Sequence, residues 1–217
     1  MAKQTFLNLP SERQEEILNI CFREFALNGY DSASLSDIIK NCGLAKGSFY
    51  RYFSSKKELY VYLLEYAKNK RLSNLEELLE QDNLDFFKLI KQNFLEKVRF
   101  DLDYPAIGGF LYKVMHEKDN NEVSIVIEGL YDGILEQTRQ IIKLPQFENQ
   151  LASLDADMMA FQVFYMQLWL YEYVAKKYAL DMEANVISGR PIMNISVEDL
   201  ESIIDPSVSM LKNGISK

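Results

Sequence analysis

A stretch of 24 residues decides how this chain folds: Ser34-Leu-Ser-Asp-Ile-Ile-Lys-Asn-Cys-Gly-Leu-Ala-Lys-Gly-Ser-Phe-Tyr-Arg-Tyr-Phe-Ser-Ser-Lys-Lys57. Ser34 and Asp37 lie three positions apart, which is typical of a helix start capped by the serine hydroxyl. Gly43 is placed to adopt the left-handed conformation that ends this first short helix. A second short helix is predicted over residues 46–52. Two short helices joined by a tight glycine turn are typical of a helix-turn-helix, which inserts its second helix into the major groove of DNA.

The second helix carries residues whose chemistry suits contact with a duplex. Lys46 and Ser48 lie in its first turn, from which side chains reach base edges. Gly47 has no side chain, so the backbone can approach DNA closely. Tyr50 and Tyr52 offer hydroxyl groups to phosphate oxygens. The pattern therefore predicts binding to double-stranded DNA. The alternative interpretation, a helical hairpin inside some other all-α protein, does not need these groups on one exposed edge.

Three segments carry a resemblance to a known family: Asn28-Gly-Tyr30, Ser34-x-x-Asp-Ile-Ile39 and Cys42-Gly-Leu-Ala-Lys-Gly-Ser-Phe-Tyr-Arg-Tyr-Phe-x-x-Lys-x-x-Leu59. Through them, about residues 11–60 resemble the TetR/AcrR transcriptional regulators. The resemblance implies an all-α fold of about nine helices. Residues 1–54 would form a three-helix helix-turn-helix DNA-binding domain, and residues 55–217 a helical ligand-binding and dimerisation domain.

The resemblance also implies a set of DNA-contacting residues, and three positions depart from the family pattern. Ala45 stands where serine is usual, so that side chain can supply neither a helix cap nor a phosphate contact. Cys42 replaces the usual alanine, and Tyr52 replaces a frequent histidine but can still donate to a phosphate. The predicted DNA-binding residues are Ser34, Ala45, Lys46, Gly47, Ser48, Tyr50, Arg51, Tyr52 and Lys56.

Charge is divided unevenly along the chain. The net charge is −8, which is unusual for a DNA-binding protein. Residues 1–71 carry a net +3, however, and residues 72–217 a net −11. Because the positive charge accompanies the helix-turn-helix, we expect DNA binding that weakens as salt rises, with the acidic body facing away from the duplex.

Several other functions are disfavoured by the sequence. It contains no G-x-S-x-G, phosphate loop, H-E-x-x-H or dinucleotide glycine pattern, and a single histidine, so we predict that the protein is not an enzyme. No cofactor and no metal site is expected. Cys21 and Cys42 are expected to be reduced, buried thiols, with a redox switch as the alternative. The first ten residues lack the apolar core of a signal peptide, which predicts a cytoplasmic protein.

Helical periodicity continues through the remainder of the chain. A first helix is predicted from Ser11 to Leu27, with Gly29 ending it. A long helix over residues 56–80, about 37 Å in length, is expected to act as a lever between the two parts of the chain. Further helices are predicted over residues 84–100, 110–117, 121–144, 155–178 and 196–214.

The connections between these helices are predicted from breaking residues. Asp82 and Asn83 mark a break, and Gly108 and Gly109 are expected to loosen the chain before the short helix at 110–117. Residues 181–195 are predicted to form a loop. Pro206, preceded by Asp205, is expected to restart the last helix.

The helix predicted at residues 155–178 is apolar on all sides, which predicts burial on all sides. A membrane span is the alternative, but Gln162, Gln167 and Glu172 make it costly. We therefore expect one side of this helix to pack on its own core and the other on a second subunit. The eighth and ninth predicted helices, residues 155–178 and 196–214, would then form a four-helix bundle in a homodimer.

Adaptable methionine and flat aromatic side chains in the body suit a pocket for a small organic molecule. The alternative for each of them is a plain core position. We predict a ligand-responsive regulator, a repressor, that binds a palindromic operator and is released by its ligand. An activator, or an architectural DNA-binding protein without ligand control, remains the alternative. The predicted ligand-binding residues are Tyr104, Phe110, Met115, His116, Tyr131, Phe161, Gln162, Tyr165 and Trp169.

Overall fold

The computed structural model describes residues 2–80, 84–117, 122–151 and 155–215, with the side chains of residues 72–77 and 215 excepted. Eleven α-helices lie within these residues, which confirms the predicted all-α class. A short 3₁₀ turn, Pro145–Phe147, follows the eighth. The helices are α1 Gln4–Leu7, α2 Ser11–Ser32, α3 Leu35–Asn41, α4 Lys46–Tyr50, α5 Lys56–Leu79, α6 Phe86–Asp103, α7 Pro105–His116, α8 Ser124–Ile142, α9 Ala156–Lys177, α10 Met182–Ile187 and α11 Val197–Ile215.

Five helices differ clearly from the sequence predictions; one of them, α2, continues past Gly29, which kinks it, and ends at Ser32. Helix α1 was not predicted, and α10 lies where a loop was expected. Helix α7 begins at Pro105 rather than near residue 110, because proline suits the first position of a helix. Helix α11 runs through Pro206 instead of restarting there. Buried Ile203, Ile204 and Val208 keep both halves of α11 on one apolar stripe. The break predicted at residues 82–83 and the helix start predicted near residue 121 lie outside the described residues.

Contacts divide the chain into two compact units. The first comprises Met1–Arg71, Phe100–Ile127 and Met182–Ile192. The second comprises Leu72–Arg99, Glu128–Asp181 and Met193–Lys217. These units are defined by contacts, whereas the boundary predicted at residue 54 separates a DNA-binding from a regulatory function. That boundary stays a prediction.

The first unit is built around the packing of α7 on α2. Phe22, Phe25, Tyr60 and Phe110 are almost fully buried and pack edge-on at ring-centroid distances of 5.1–6.4 Å. Gly109 allows α7 to approach α10, because a Cβ atom there would lie 2.9 Å from Val186. The predicted loosening at this glycine is therefore wrong: it is a close-packing position inside a helix.

Gly108 has the same role on another side of α7. A Cβ atom at Gly108 would lie 2.7 Å from Oδ1 of Asp101, a fully buried carboxylate. Both oxygens of Asp101 accept hydrogen bonds of 3.2 Å from Arg71. The glycine thus makes room for a buried ion pair between α5 and α6.

The second unit contains α9 and α11 with most of α6 and of α8. Phe94 packs edge-on against Tyr171, and Tyr131 against Phe164, at 5.4 and 5.6 Å. Gln167, predicted to be one of three scattered polar residues on α9, is buried and accepts a hydrogen bond from Lys97. Across the described part of the chain, every helix is too short or too polar to cross a bilayer.

Candidate nucleic-acid interface

The first helix of the pair is held by its own sequence, as predicted. The Ser34 hydroxyl accepts a hydrogen bond of 3.2 Å from the backbone N–H of Asp37. Ile38 and Ile39 are buried. Gly43 has φ of +63°, the left-handed conformation that ends α3. These local features fix the turn that leads into α4.

The second helix separates an inner and an outer face. Phe49 in the helix and Phe53, three residues after its end, are fully buried. Lys46, Gly47 and Arg51 are exposed on the other side. Tyr50, of which 39% is exposed, stands beside them. Such a short helix with a buried apolar side and an outward basic edge defines a helix-turn-helix protein.

The remaining predicted DNA-binding residues are placed differently from these. The Lys56 ammonium donates hydrogen bonds of 3.1 Å to the carbonyl oxygens of Asp31 and Ala33, and it lies 4.7 Å from the centre of the Tyr30 ring. Lys56 therefore caps the C-terminal end of α2 with its ammonium group. Tyr52 is half-buried. The DNA contacts of these two residues stay predictions.

Three other predicted residues are simpler to place, and their DNA contacts stay predictions. Ala45 is the N-cap residue of α4 and, as expected from its methyl side chain, provides no cap. Ser48 is partly exposed beside Lys46. Ser34 uses its hydroxyl to cap α3, and its backbone N–H donates to Glu24 at 2.8 Å.

The N-terminal segment, residues 3–6, is a part of this site that the sequence analysis missed. The Lys3 ammonium donates to the carbonyl oxygen of Tyr50 at 2.8 Å, and the Lys3 N–H donates to that of Tyr52 at 3.0 Å. The Thr5 hydroxyl donates to the carbonyl oxygen of Arg51. The segment thus binds three consecutive carbonyl groups at the C-terminal end of α4. The sequence signal for it is weak, because its partners lie 46–49 positions away.

A capping box joins α4 to α5. The Ser55 hydroxyl accepts the Glu58 N–H at 3.1 Å, as predicted. The Glu58 carboxylate accepts the N–H of Ser54 at 2.8 Å, one residue before the usual partner. This hydrogen bond from Ser54 lowers the pKa of Glu58 below its ordinary value.

Glu117, which follows α7, joins α2 to α5. Its carboxylate accepts hydrogen bonds from the backbone N–H of Tyr30 and, at 2.9 Å, from the hydroxyl of Tyr60. The hydroxyl of Tyr30 donates to Glu122 at 2.6 Å. Burial is the main cause that raises the pKa of both tyrosines. Gly29 kinks α2 with a φ of +66°, and the N–H of the next residue, Tyr30, reaches the Glu117 carboxylate.

The two cysteines are free and buried, as predicted. Their thiols form a hydrogen bond to each other, which together with burial raises the pKa of Cys21 well above its ordinary value. The same hydrogen bond lowers the pKa of Cys42. The Arg13 guanidinium donates to the Cys42 carbonyl oxygen at 2.6 Å and so ties α2 to the turn.

The predicted ligand-binding residues fall into both compact units. Phe110 is fully buried in the aromatic core of the first unit, and Tyr104 is 40% exposed. His116 is exposed, and its ring centre lies 4.2 Å from that of Tyr112. Its Nδ1 is hydrogen-bonded to the Tyr112 carbonyl oxygen at 2.7 Å. Met115 is half-buried. These four residues belong to the first unit and the other five to the second.

In the second unit the predicted ligand residues point mainly outward. Tyr131 packs on Phe164 and is half-buried. Gln162 is exposed. A stripe of exposed apolar side chains follows α9 at helical spacing, with exposed fractions of 40–58%. Its members, here called the α9 stripe, are Met158, Phe161, Tyr165, Trp169 and Tyr173.

A groove of about 660 Å³ lies in the first unit and includes Tyr104. The Lys70 ammonium lies 4.2 Å from the centre of the Tyr104 ring within it. Four carboxylates and two cationic groups are among its lining side chains. The lining residues are Glu12, Glu15, Glu16, Leu18, Asn19, Phe22, Arg23, Tyr66, Lys70, Asp103, Tyr104, Pro105, Ala106 and Ile107.

Comparison with known proteins agrees with this geometry. The family model for bacterial regulatory proteins of the tetR family matches residues 17–63. An HTH-type transcriptional regulator of Bacillus subtilis (strain 168), YvdT, is 37% identical over 99 residues, which cover 44% of this chain and 48% of that protein. The chain thus spans about half the length of this curated relative. The predicted resemblance to this family is confirmed over the helix-turn-helix region of the chain.

Solved structures extend the similarity of fold beyond the helix-turn-helix. A TetR family transcriptional regulator from Chloroflexus aurantiacus J-10-FL has a TM-score of 0.76 at 24% identity, and covers 100% of this chain and 99% of that one. AibR, solved in complex with isovaleryl coenzyme A and operator DNA, has a TM-score of 0.64 at 16% identity over 91% and 97% of the two chains. The whole described chain therefore has the fold of these regulators.

Proposed function

We propose that this protein is a ligand-responsive transcriptional regulator, a repressor, which binds a palindromic DNA operator as a homodimer and is released by a small organic ligand. One observation carries the proposal. Lys46, Gly47 and Tyr50 stand exposed on one edge of α4, while Phe49 and Phe53 anchor the opposite side in the core. A helix fixed in this way presents the same few groups to every base step that it meets, which sequence readout requires.

The α9 stripe supports the homodimer. A contiguous exposed apolar surface marks an interaction site in soluble proteins. Helix α11 packs on α9, and its Val197 and Met210 are exposed as well, at 46% and 76%. We propose that α9 and α11 of two subunits form a four-helix bundle. A two-fold dimer then requires half-sites about 34–36 Å apart in the operator.

Ligand control is supported by the fold and by the groove. AibR shares the fold and was solved with a coenzyme A thioester and with operator DNA. The groove around Tyr104 has a volume within the range of small-molecule sites, about 300–1,000 Å³. A ligand shifts the balance between operator-binding and released states only through its difference in affinity for them. We propose that this difference acts through α5, which follows the helix-turn-helix directly in the chain.

The experiment is a selection of DNA from a random-sequence library by the purified protein, followed by footprinting at two salt concentrations. The proposal predicts one selected sequence with two-fold symmetry and an affinity that falls steeply with salt. Isovaleryl coenzyme A and a panel of organic cations then serve as probes for release. Equal binding to all sequences would contradict the proposal. A promoter–reporter fusion with and without the protein separates repression from activation.

A further inference from the structure

The N-terminal segment, residues 3–6, binds the recognition helix at its C-terminal end. A helix leaves its last four carbonyl groups without partners inside the helix. At the end of α4 three consecutive carbonyl groups accept hydrogen bonds from Lys3 and Thr5: those of Tyr50 in the helix, of its C-cap Arg51 and of the next residue, Tyr52. The positive charge of Lys3 also lies where a helix dipole favours a cation.

The segment is anchored by its last residue and by the residues that follow it. Phe6 is fully buried and packs against the rings of Tyr52 at 5.8 Å and Phe53 at 5.0 Å. The Gln14 amide on α2 donates to the carbonyl oxygens of Leu7 and Leu9 at 3.1 and 2.8 Å. The hydrogen bonds of residues 3 and 5 therefore connect α4 to a fixed point on the first unit.

Helix α4 needs such support because it contains only five residues. A helix of this length has no stability of its own in water. Its N-terminal end is also uncapped, since Ala45 has no side-chain acceptor. Phe49 and Phe53 anchor the inner side of α4 by packing. The contacts to the carbonyl groups at its C-terminal end add directional hydrogen bonds, which limit rotation of the helix about that packed side.

We infer that residues 3–6 hold the recognition helix in the orientation needed for sequence-specific binding, so that Lys3 and Thr5 are positioning residues for operator recognition. The inference rests on the proposed function. Thr5 is the sharper test of the two, because its replacement removes no charge. Lys3 can in addition contact a phosphate directly, and the slope of affinity against salt separates that effect, since each lost phosphate contact lowers the slope by about 1.

The test uses full-length protein with Thr5→Val, and with Thr5→Val combined with Lys3→Met. Thr138→Val is the matched control, because its hydroxyl also donates to a backbone carbonyl, that of Ile134 at 2.8 Å in α8. Affinities are measured for the selected sequence and for a scrambled one. One lost hydrogen bond corresponds to a factor of about 2–12. We expect Thr5→Val to weaken selected-sequence binding by about 3–10-fold and scrambled-sequence binding by less than about twofold. The control should change neither.

Hydrogen–deuterium exchange on the free protein provides a readout that does not depend on DNA. The double variant should exchange faster than wild type over residues 46–53, and at the wild-type rate over residues 35–41. Unchanged exchange at 46–53, or an unchanged ratio of selected to scrambled affinity, would overturn the inference. If wild-type protein selects no sequence at all, the proposed function fails, and the exchange result alone decides whether residues 3–6 hold α4.

Discussion

The hydroxyl of Tyr60 on α5 donates a hydrogen bond of 2.9 Å to Glu117, whose other carboxylate oxygen accepts the backbone N–H of Tyr30. One carboxylate thus satisfies two donors on different helices, and both tyrosines are almost fully buried. Without the carboxylate, each of these donors loses its partner away from water, which costs about 1–3 kcal/mol per group.

Glu117→Ala should therefore lower the free energy of unfolding by about 2–4 kcal/mol, measured by urea titration followed by circular dichroism. Glu117→Gln is the control: its amide keeps an acceptor for Tyr30 and a donor for the Tyr60 oxygen, so the loss should stay below about 1.5 kcal/mol. Equal stability of the alanine variant and wild type would show that Glu117 does not join these helices.

Two glycines inside helices should respond to alanine in opposite directions. At Gly108 the new Cβ atom would lie 2.7 Å from Asp101, so Gly108→Ala should destabilise the protein by about 1–3 kcal/mol. At Gly129 no described atom lies within 4 Å of that position, so Gly129→Ala should stabilise it by about 0.5–1 kcal/mol. Thermal unfolding of both variants checks the pair. The same sign of change in both would contradict the close packing assigned to Gly108.

The capping box of α5 predicts a pH dependence. The folded-state pKa of Glu58 lies below its unfolded value, because the ionised carboxylate accepts the N–H of Ser54. The stabilisation is therefore complete above the unfolded pKa, about 4.3, and is lost as the pH falls through the lower folded pKa. Glu58→Gln should reduce Tm by a few degrees at pH 7 and approach wild type at pH 3. A Tm difference that stays constant between pH 7 and pH 3 would rule out this account.

Charge placed on the α9 stripe should separate the subunits of the proposed homodimer. Phe161→Glu with Trp169→Glu introduces two carboxylates where the exposed fractions are 52% and 56%, and light scattering should report 25.3 kDa instead of twice that mass. Operator affinity should fall by about 100-fold, because each helix-turn-helix then binds its half-site alone. Ile187→Glu, on α10 and 66% exposed, is the control and should leave the mass unchanged. A dimer mass for the double variant would place the interface elsewhere.

The sequence predicted best where structure depends on neighbours in the chain. The cap at Ser34 and the left-handed Gly43 are local features, and both occur as expected. It failed where the partner is distant. Gly108 and Gly109 were predicted to loosen the chain. Instead, a side chain at either position would collide with a residue on another helix, Asp101 or Val186. A glycine that breaks a helix and one that packs against another element have the same sequence signal.

The same limit applies to the candidate sites. Lys3 and Thr5 donate hydrogen bonds to backbone carbonyl oxygens at the end of α4. Every residue has such a carbonyl group, so the sequence gives no sign of these contacts. Lys56 matches the family pattern, which gives no sign that its ammonium also binds the end of α2; its DNA contact stays a prediction. The aromatic residues of α9 were assigned to a ligand pocket, whereas Phe161 and Trp169 point outward. Periodicity shows that a helix is apolar, but tertiary packing decides which of its faces is covered.

The central claim is that the outer edge of α4 reads DNA, and one comparison tests it most directly. Lys46→Ala and Lys88→Ala each remove one exposed lysine, the first on α4 and the second on α6. Binding of both variants to the selected sequence and to a scrambled sequence is measured by titration at two salt concentrations. The account predicts that Lys46→Ala loses about 10–100-fold in selected-sequence affinity and much of its preference for that sequence, while Lys88→Ala behaves as wild type. Equal losses in the two variants, or an unchanged preference in Lys46→Ala, would contradict it.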